Sequence, residues 1–169
     1  PLFWMFIGSI MWDFSQNLPG PLTFAWIFKA TSTLDSMLGY KQGHLKWIGF
    51  SGAKLDDLLT WIPCRLVLLS LPLISKPWHL IPNVIRNAVI DGSNDPSPNS
   101  GISEAIFAYC INVRMGGINY YKGIAISKPI ISENSPKATP TNIKRILNFI
   151  LKLEFFWLSI FSILIMLLF

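Results

Sequence analysis

The sequence predicts an all-α integral membrane protein, with apolar helices separated by polar segments, and a portion of a longer polytopic chain. Three features point to this. Hydrophobic residues make up 51% of the 169 and charged residues only 14%, where soluble domains carry about 25% charged residues. Aromatic side chains are abundant, with seven Trp and twelve Phe, as suits membrane interfaces and apolar cores. The chain also opens at Pro1 directly into LFWMFIG with no basic stretch ahead of it, which is unlike a signal peptide and reads as the middle of a hydrophobic segment. Residues 1–169 are read as a single membrane-embedded portion, multi-pass, in an inner or plasma membrane.

The elements follow in order. The first apolar helix, near 1–12, is too short to span alone, since a crossing needs about 20 residues. A polar segment, 13–57, follows. It holds the largely apolar PLTFAWIFKA, then TSTLDSMLGYK, Lys41-Gln42-Gly43-His44 and SGAKLDD, and balances four Lys against four Asp. The second apolar helix, near 58–74, reads LLTWIPCRLVLLSLPLI with the single charge Arg65, and Pro63 and Pro72 are expected to kink it or break its hydrogen-bond ladder. The second polar segment, 76–139, holds DGSNDPSPNSG, MGG and a Pro/Ser-rich loop. Between them Ile102, Ile106, Tyr109 or Cys110, and Val113 recur at helical spacing, predicting a helix over 102–113. Its six basic and four acidic residues do not fix membrane orientation. Thr139-Pro140 reads as an N-cap followed by Pro at the first helical position. A helix over 140–169 would be about 45 Å long. Ile143, Leu147, Ile150 and Leu151 share one face of its start and Lys144, Arg145 and Lys152 lie elsewhere, an interfacial beginning to a lipid-facing run.

The net charge of +5 is scattered, with no basic stripe. It argues for anionic lipid or phosphorylated substrates rather than nucleic acid. Cys64 and Cys110 lie in apolar runs and read as small buried hydrophobes. No Cys or His spacing suggests zinc.

Most of the polar stretches set carboxylates beside hydroxyl, amide or Gly residues. Adjacent carboxylates with such neighbours suit Mg²⁺ bridging substrate phosphates, and a helix N-terminus preceded by Gly suits an anion. Each stretch also has a purely local reading. Ser32 with Asp35 matches a capping box, and Asp56-Asp57 a solvated helix start. Residues 91–101 match a turn, and Met115-Gly116-Gly117 a helix C-cap. Arg65 lies inside an apolar run. It either snorkels to the interface or serves a site with a carboxylate partner.

The stretches KATSTLDSMLGYK, KLDDLLTWIPCRL and SPNSGISEAIFAYCINVRMGGINYY, in this order, resemble the adenosylcobinamide-phosphate synthase family of cobalamin biosynthesis, the CobD/CbiB type. The resemblance runs from near Pro1 to about Tyr121 and implies the C-terminal half of a protein about twice as long. Three residues depart from the family pattern: Asp95 where His is usual, which removes an imidazole base there, Thr60 where Asn is usual, and Cys64 where Ala is usual.

The resemblance implies an ATP- and Mg²⁺-dependent ligase that joins adenosylcobyric acid to aminopropanol or its phosphate, with other cobalamin-pathway enzymes as further partners. On it, Asp35, Asp56 and Asp57 are the candidate catalytic and metal-holding residues. Glu104 is a catalytic candidate toward metal or amine. Arg65, Ser97, Asn99, Gly101, Arg114 and Asn119 are candidates for substrate and phosphate binding. Two alternatives are a membrane scaffold or corrinoid-handling subunit without turnover, and a transporter with discontinuous helices.

Overall fold

A computed structural model describes residues 1–38, 46–121 and 123–168; Gly39, Tyr40 and the Lys41-Gln42-Gly43-His44 stretch lie outside the described residues. Among the described residues the elements are α1 (Leu2–Phe14), α2 (Pro21–Leu38), α3 (Lys46–Ser75), a 3-10 turn (Trp78–Leu80), α4 (Ile81–Gly92), α5 (Ser100–Ile111), β1 (Met115–Tyr121), β2 (Ile124–Ile131) and α6 (Pro140–Leu168). The chain is mostly helical, as expected, but β1 and β2 form an antiparallel hairpin, so the all-α reading is corrected. The polar segments 13–57 and 76–139 are themselves largely structured, holding α2, the start of α3, α4, α5 and the hairpin. Two compact units are distinguishable, Pro1–Pro63 with Phe156–Phe169, and Cys64–Phe155.

In the first unit α1 and α2 meet at Gly8, where an added β-carbon would lie 2.8 Å from Pro21 Cα and 2.9 Å from the Phe24 ring. Trp4 stacks on Phe24 with centroids 6.4 Å apart, and Phe6 stacks on Phe161 at 4.3 Å. The hydrogen-bond ladder is interrupted at Pro63 as expected, yet α3 runs on from Lys46 to Ser75. Pro63 has no N–H to give the Leu59 carbonyl four residues back. The Trp4 indole Nε1–H donates to that oxygen instead, at 3.0 Å. Pro72 is likewise accommodated within α3, where it is among the fully buried side chains. Neighbouring groups commonly re-satisfy backbone freed by Pro in membrane helices.

Hydroxyls along these helices turn back on their own backbone. Ser9 bonds Met5 O, Thr33 bonds Lys29 O, Ser36 bonds Ser32 O, Ser51 bonds Trp47 O and Thr60 bonds Asp56 O, at 2.6–3.2 Å. The capping-box reading of Ser32 and Asp35 is therefore overturned, because both residues lie inside α2. The helix-start reading of Asp56-Asp57 falls for the same reason, ten residues into α3.

The second unit centres on α5, whose Ala105, Ile106 and Ala108 are fully buried, together with Leu71 and Ala88. Here α4 and α5 pack through glycines. A β-carbon on Gly92 would stand 2.7 Å from the Ile102 backbone, and one on Gly101 would collide with the Gly92 carbonyl. The α5 helix stops at Asn112 (φ 55°, ψ 63°), the left-handed cap, so Met115-Gly116-Gly117 is not the C-cap. Those glycines, both at φ +84°, instead open β1 at a register shift. Gly116 lies against the Pro129 carbonyl, with no space for a side chain.

The last helix begins at Pro140 as predicted, with Thr139 N donating to Asn142 Oδ1 at 2.8 Å. Residues Gly49–Ser75 and Pro140–Leu168 are each long and apolar enough to cross a membrane, and only 11% of the most apolar stretch of α6 is buried. That low burial separates α6 from the core helix of a soluble protein.

Candidate functional site

The candidate residues fall into two groups, one in each unit. In the first unit, Asp35 sits near the end of α2 and Asp56 and Asp57 in the middle of α3. The helices approach at Gly52, whose β-carbon position is 3.7 Å from Asp35 N. Asp56 lies one turn beyond Gly52, on the same face. Asp56 is thereby within electrostatic reach of both Asp35 and Asp57. Its Oδ1 is buried and accepts no hydrogen bond from the described residues. A buried carboxylate oxygen without a donor is costly, so this oxygen is the feature here that asks for a cation or a hydrogen-bond donor. Among the described residues no group of three or more His, Cys, Asp or Glu side chains is placed to hold a metal. Mg²⁺ carried by a nucleotide needs only one or two protein carboxylates, which the Asp35–Asp56 neighbourhood offers.

In the second unit, residues 64 and 65 of α3 clasp the turn before α5. Arg65 Nη1 donates to Asn99 Oδ1 at 2.5 Å and Nη2 to Pro98 O at 3.2 Å. Cys64 Sγ is 3.4 Å from Asn99 O and 3.3 Å from Ser103 Oγ. An amide and a carbonyl are thus among the acceptors of Arg65. Asn99 is itself buried. Within the turn, Asp95 Oδ1 accepts from Ser97 N (2.8 Å) and Ser100 Oγ (2.9 Å). Ser97 Oγ accepts from Asn99 N and Ser100 N. Arg65, Ser97 and Asn99 are thus brought together, whereas Gly101 serves the contact between α4 and α5. Asp95, standing where an imidazole was expected, works as the organiser of the turn.

Glu104 lies on a shallow cleft with Asp91, Asp95 and Gly101 on one side and Lys128, Pro129 and Ile131 on the other. Asp91 joins three elements. Its Oδ2 accepts from Tyr109 O–H at 2.7 Å and from Ser132 N at 2.9 Å. Burial, and then the bond to Asp91, push the Tyr109 phenol up to about 12. Arg114 and Asn119 belong to the hairpin. Arg114 N donates to Pro136 O at 2.8 Å, and Asn119 faces Ile126 across the strands, with Nδ2 3.4 Å from Gly117 O. Sequence reasoning passed over Asp91, Tyr109 and Lys128. Asp91 lay inside a string rich in turn residues, and its two donors come from 18 and 41 residues away.

Comparison with known proteins gives the family. The profile of a family described as CobD/Cbib protein matches residues 1–150. A protein named cobalamin biosynthesis protein CobD, from Synechocystis sp., is 43% identical over 133 residues, covering 79% of this chain and 36% of that protein. Proteins of the same name are 35% identical over 140 residues in Clostridium perfringens (78% and 44%) and 34% identical over 166 residues in Yersinia enterocolitica (96% and 48%). The chain spans between about a third and a half of the length of these relatives. No solved structure matches it.

Proposed function

The chain belongs to the CobD/Cbib family, and from that premise we propose that it is the part of a cobalamin-biosynthesis ligase that carries the carboxylate and amide-rich motifs. The proposed reaction forms an amide between a side-chain carboxylate of adenosylcobyric acid and the amine of aminopropanol or its phosphate. A carboxylate oxygen first attacks the γ-phosphorus of ATP, the bond from that phosphorus to the bridging oxygen breaks, and ADP leaves an acyl phosphate behind. The amine nitrogen then attacks the acyl carbon, the C–O bond to phosphate breaks, and the amine gives up its proton. The protein's task in such chemistry is positioning and charge neutralisation.

The single observation that carries this reading beyond the family name is the buried, unbonded Oδ1 of Asp56 beside Asp35 and Asp57. On this reading Asp35 and Asp56 hold the Mg²⁺ that arrives with ATP, which would shield the phosphates' negative charge. Arg65, fixed on the Ser97–Asn99 turn, supplies the positive charge and orders the amide groups of the second group. Glu104, Asp91 and Asp95 offer negative charge to the incoming amine. The location is a cell membrane, crossed more than once, supported by the two long apolar helices.

The test uses the full-length protein in its membrane. Asp56→Asn keeps shape and removes charge. It should abolish ATP consumption that depends on both corrinoid and amine, while leaving the protein folded by far-UV ellipticity. A folded Asp56→Asn protein with ordinary coupled ATP consumption refutes the assignment. If the unaltered protein consumes no ATP with either substrate, the non-catalytic scaffold reading takes its place.

A further inference from the structure

The hairpin is largely exposed, and apolar side chains make up much of its exposed surface. Ile118 is 68% exposed, Tyr120 74%, Ile124 68% and Ile126 44%. The register sets Ile118 opposite Ser127 and Tyr120 opposite Ala125, while Ile126 faces Asn119 and Ile124 faces Tyr121. Because side chains alternate across a strand, Ile118 and Tyr120 lie on one face and Ile124 and Ile126 on the other. An antiparallel hairpin in water buries one face and solvates the other, and two strands alone are marginal. This one presents apolar side chains on both faces, so it is shaped to enter an apolar medium tip first rather than to lie on a core.

Charge and tethering select the medium. Residues 114–137 carry four basic side chains and one acid, which favours an anionic surface. The eight residues 132–139 between β2 and α6 reach at most about 30 Å, so the hairpin is held close to the first residue of a helix long and apolar enough to cross a bilayer. The start of that helix, in the same unit, exposes Ile143, Leu147 and Leu151 along one face, interleaved with Lys144, Arg145 and Lys152, a second interfacial signature.

We infer that the outer strands of the hairpin, at Ile118, Tyr120, Ile124 and Ile126, are immersed in the headgroup region of an anionic bilayer. The depth is limited by its backbone. A two-stranded sheet keeps two open edges of unpaired N–H and C=O groups, which the hydrocarbon region does not tolerate. Tyr120 suits the boundary, where its ring is in apolar surroundings and its hydroxyl remains wet. This inference rests on the membrane reading of the chain.

The experiment separates the two. The full chain is reconstituted into phosphatidylcholine vesicles with and without phosphatidylglycerol. An environment-sensitive fluorophore is attached to Ile124→Cys and, in a second variant, to Ile118→Cys. Native Cys64 and Cys110 are buried at 6% and 1% exposure and leave the label specific. Ile163→Cys on α6 reports insertion of the chain itself. Expected are blue-shifted emission at 124 and 118 and strong quenching by lipids bearing a nitroxide near the headgroup. The blue shift at 124 and 118 should be larger in the vesicles that contain phosphatidylglycerol. Quenching at 163 with water-like emission at both 124 and 118 overturns the hairpin inference and leaves the membrane reading intact. No quenching at any of the three overturns both. Shielded labels that no lipid nitroxide quenches also overturn it, since a protein surface would then cover the hairpin.

Discussion

Removal of the Trp4 indole N–H tests how α3 survives Pro63. The Leu59 carbonyl has no helical donor, and Trp4 Nε1 lies 3.0 Å from it. In Trp4→Phe the ring can keep its stack on Phe24, but the oxygen loses its partner. An unsatisfied partly buried carbonyl costs about 1–3 kcal/mol, and the smaller ring adds roughly 0.5–1 kcal/mol of lost burial. In a Pro63→Ala background residue 63 regains its N–H, bonds Leu59, and only the burial loss remains. The difference between the two backgrounds should therefore be about 1–3 kcal/mol of coupling, read from a double-mutant cycle. The assay is reversible unfolding in mixed micelles of increasing denaturing-detergent fraction, followed by far-UV ellipticity. Equal costs of Trp4→Phe in both backgrounds, within about 0.3 kcal/mol, would refute the compensation.

Two further outcomes concern the helix-contact glycines and Tyr109. Gly92→Ala places a β-carbon 2.7 Å from the Ile102 backbone, where ordinary contact begins at 3.4 Å. Overpacking should cost about 1–3 kcal/mol, whereas Gly52→Ala, with its nearest neighbour at 3.7 Å, should be neutral or stabilising by up to about 1 kcal/mol; the same unfolding assay ranks the two variants. Tyr109, held protonated to about 12 against an ordinary 10.0, favours the folded state most below pH 10. That contribution is lost as pH rises from 10 through 12, so ultraviolet titration should show one late-ionising phenol that Tyr109→Phe removes.

Much of the helical plan was legible because it rests on local signals. Thr139-Pro140 marked the start of α6, and the spacing of Ile102, Ile106 and Cys110 marked α5, which ends at Ile111 with Asn112 as its cap, two residues before periodicity suggested. Other elements were legible but outweighed. Ile81, Val84, Ile85, Ala88 and Val89 of α4 follow helical spacing, yet neighbouring turn residues drew the whole of 76–139 into a polar segment. The apolar and aromatic runs on either side of Lys122-Gly123 carry a hairpin signal, blunted by Pro129, a residue tolerated at sheet edges. What sequence could not supply was long-range compensation. Nothing local to Pro63 announces Trp4, and nothing local to Arg65 announces Asn99, 34 residues away. The candidate site divides in the same way. The grouping of Asp35 with Asp56 and Asp57 was implied by the family resemblance, but the clasp of residues 64–65 on the Ser97–Asn99 turn and the Asp91 junction depend on the fold.

The hydroxyls that bond back to their own helices change what polarity means in α2 and α3. A Ser or Thr that has already satisfied itself asks nothing of a neighbour, so turning or sliding either helix in lipid would break none of these bonds. Which way each helix faces is then set by shape, by the close contact that only Gly8 permits, and by the few groups that cannot satisfy themselves. Asp56 is one of those. Where most side chains are indifferent to rotation, a single needy oxygen can act as the helix's compass.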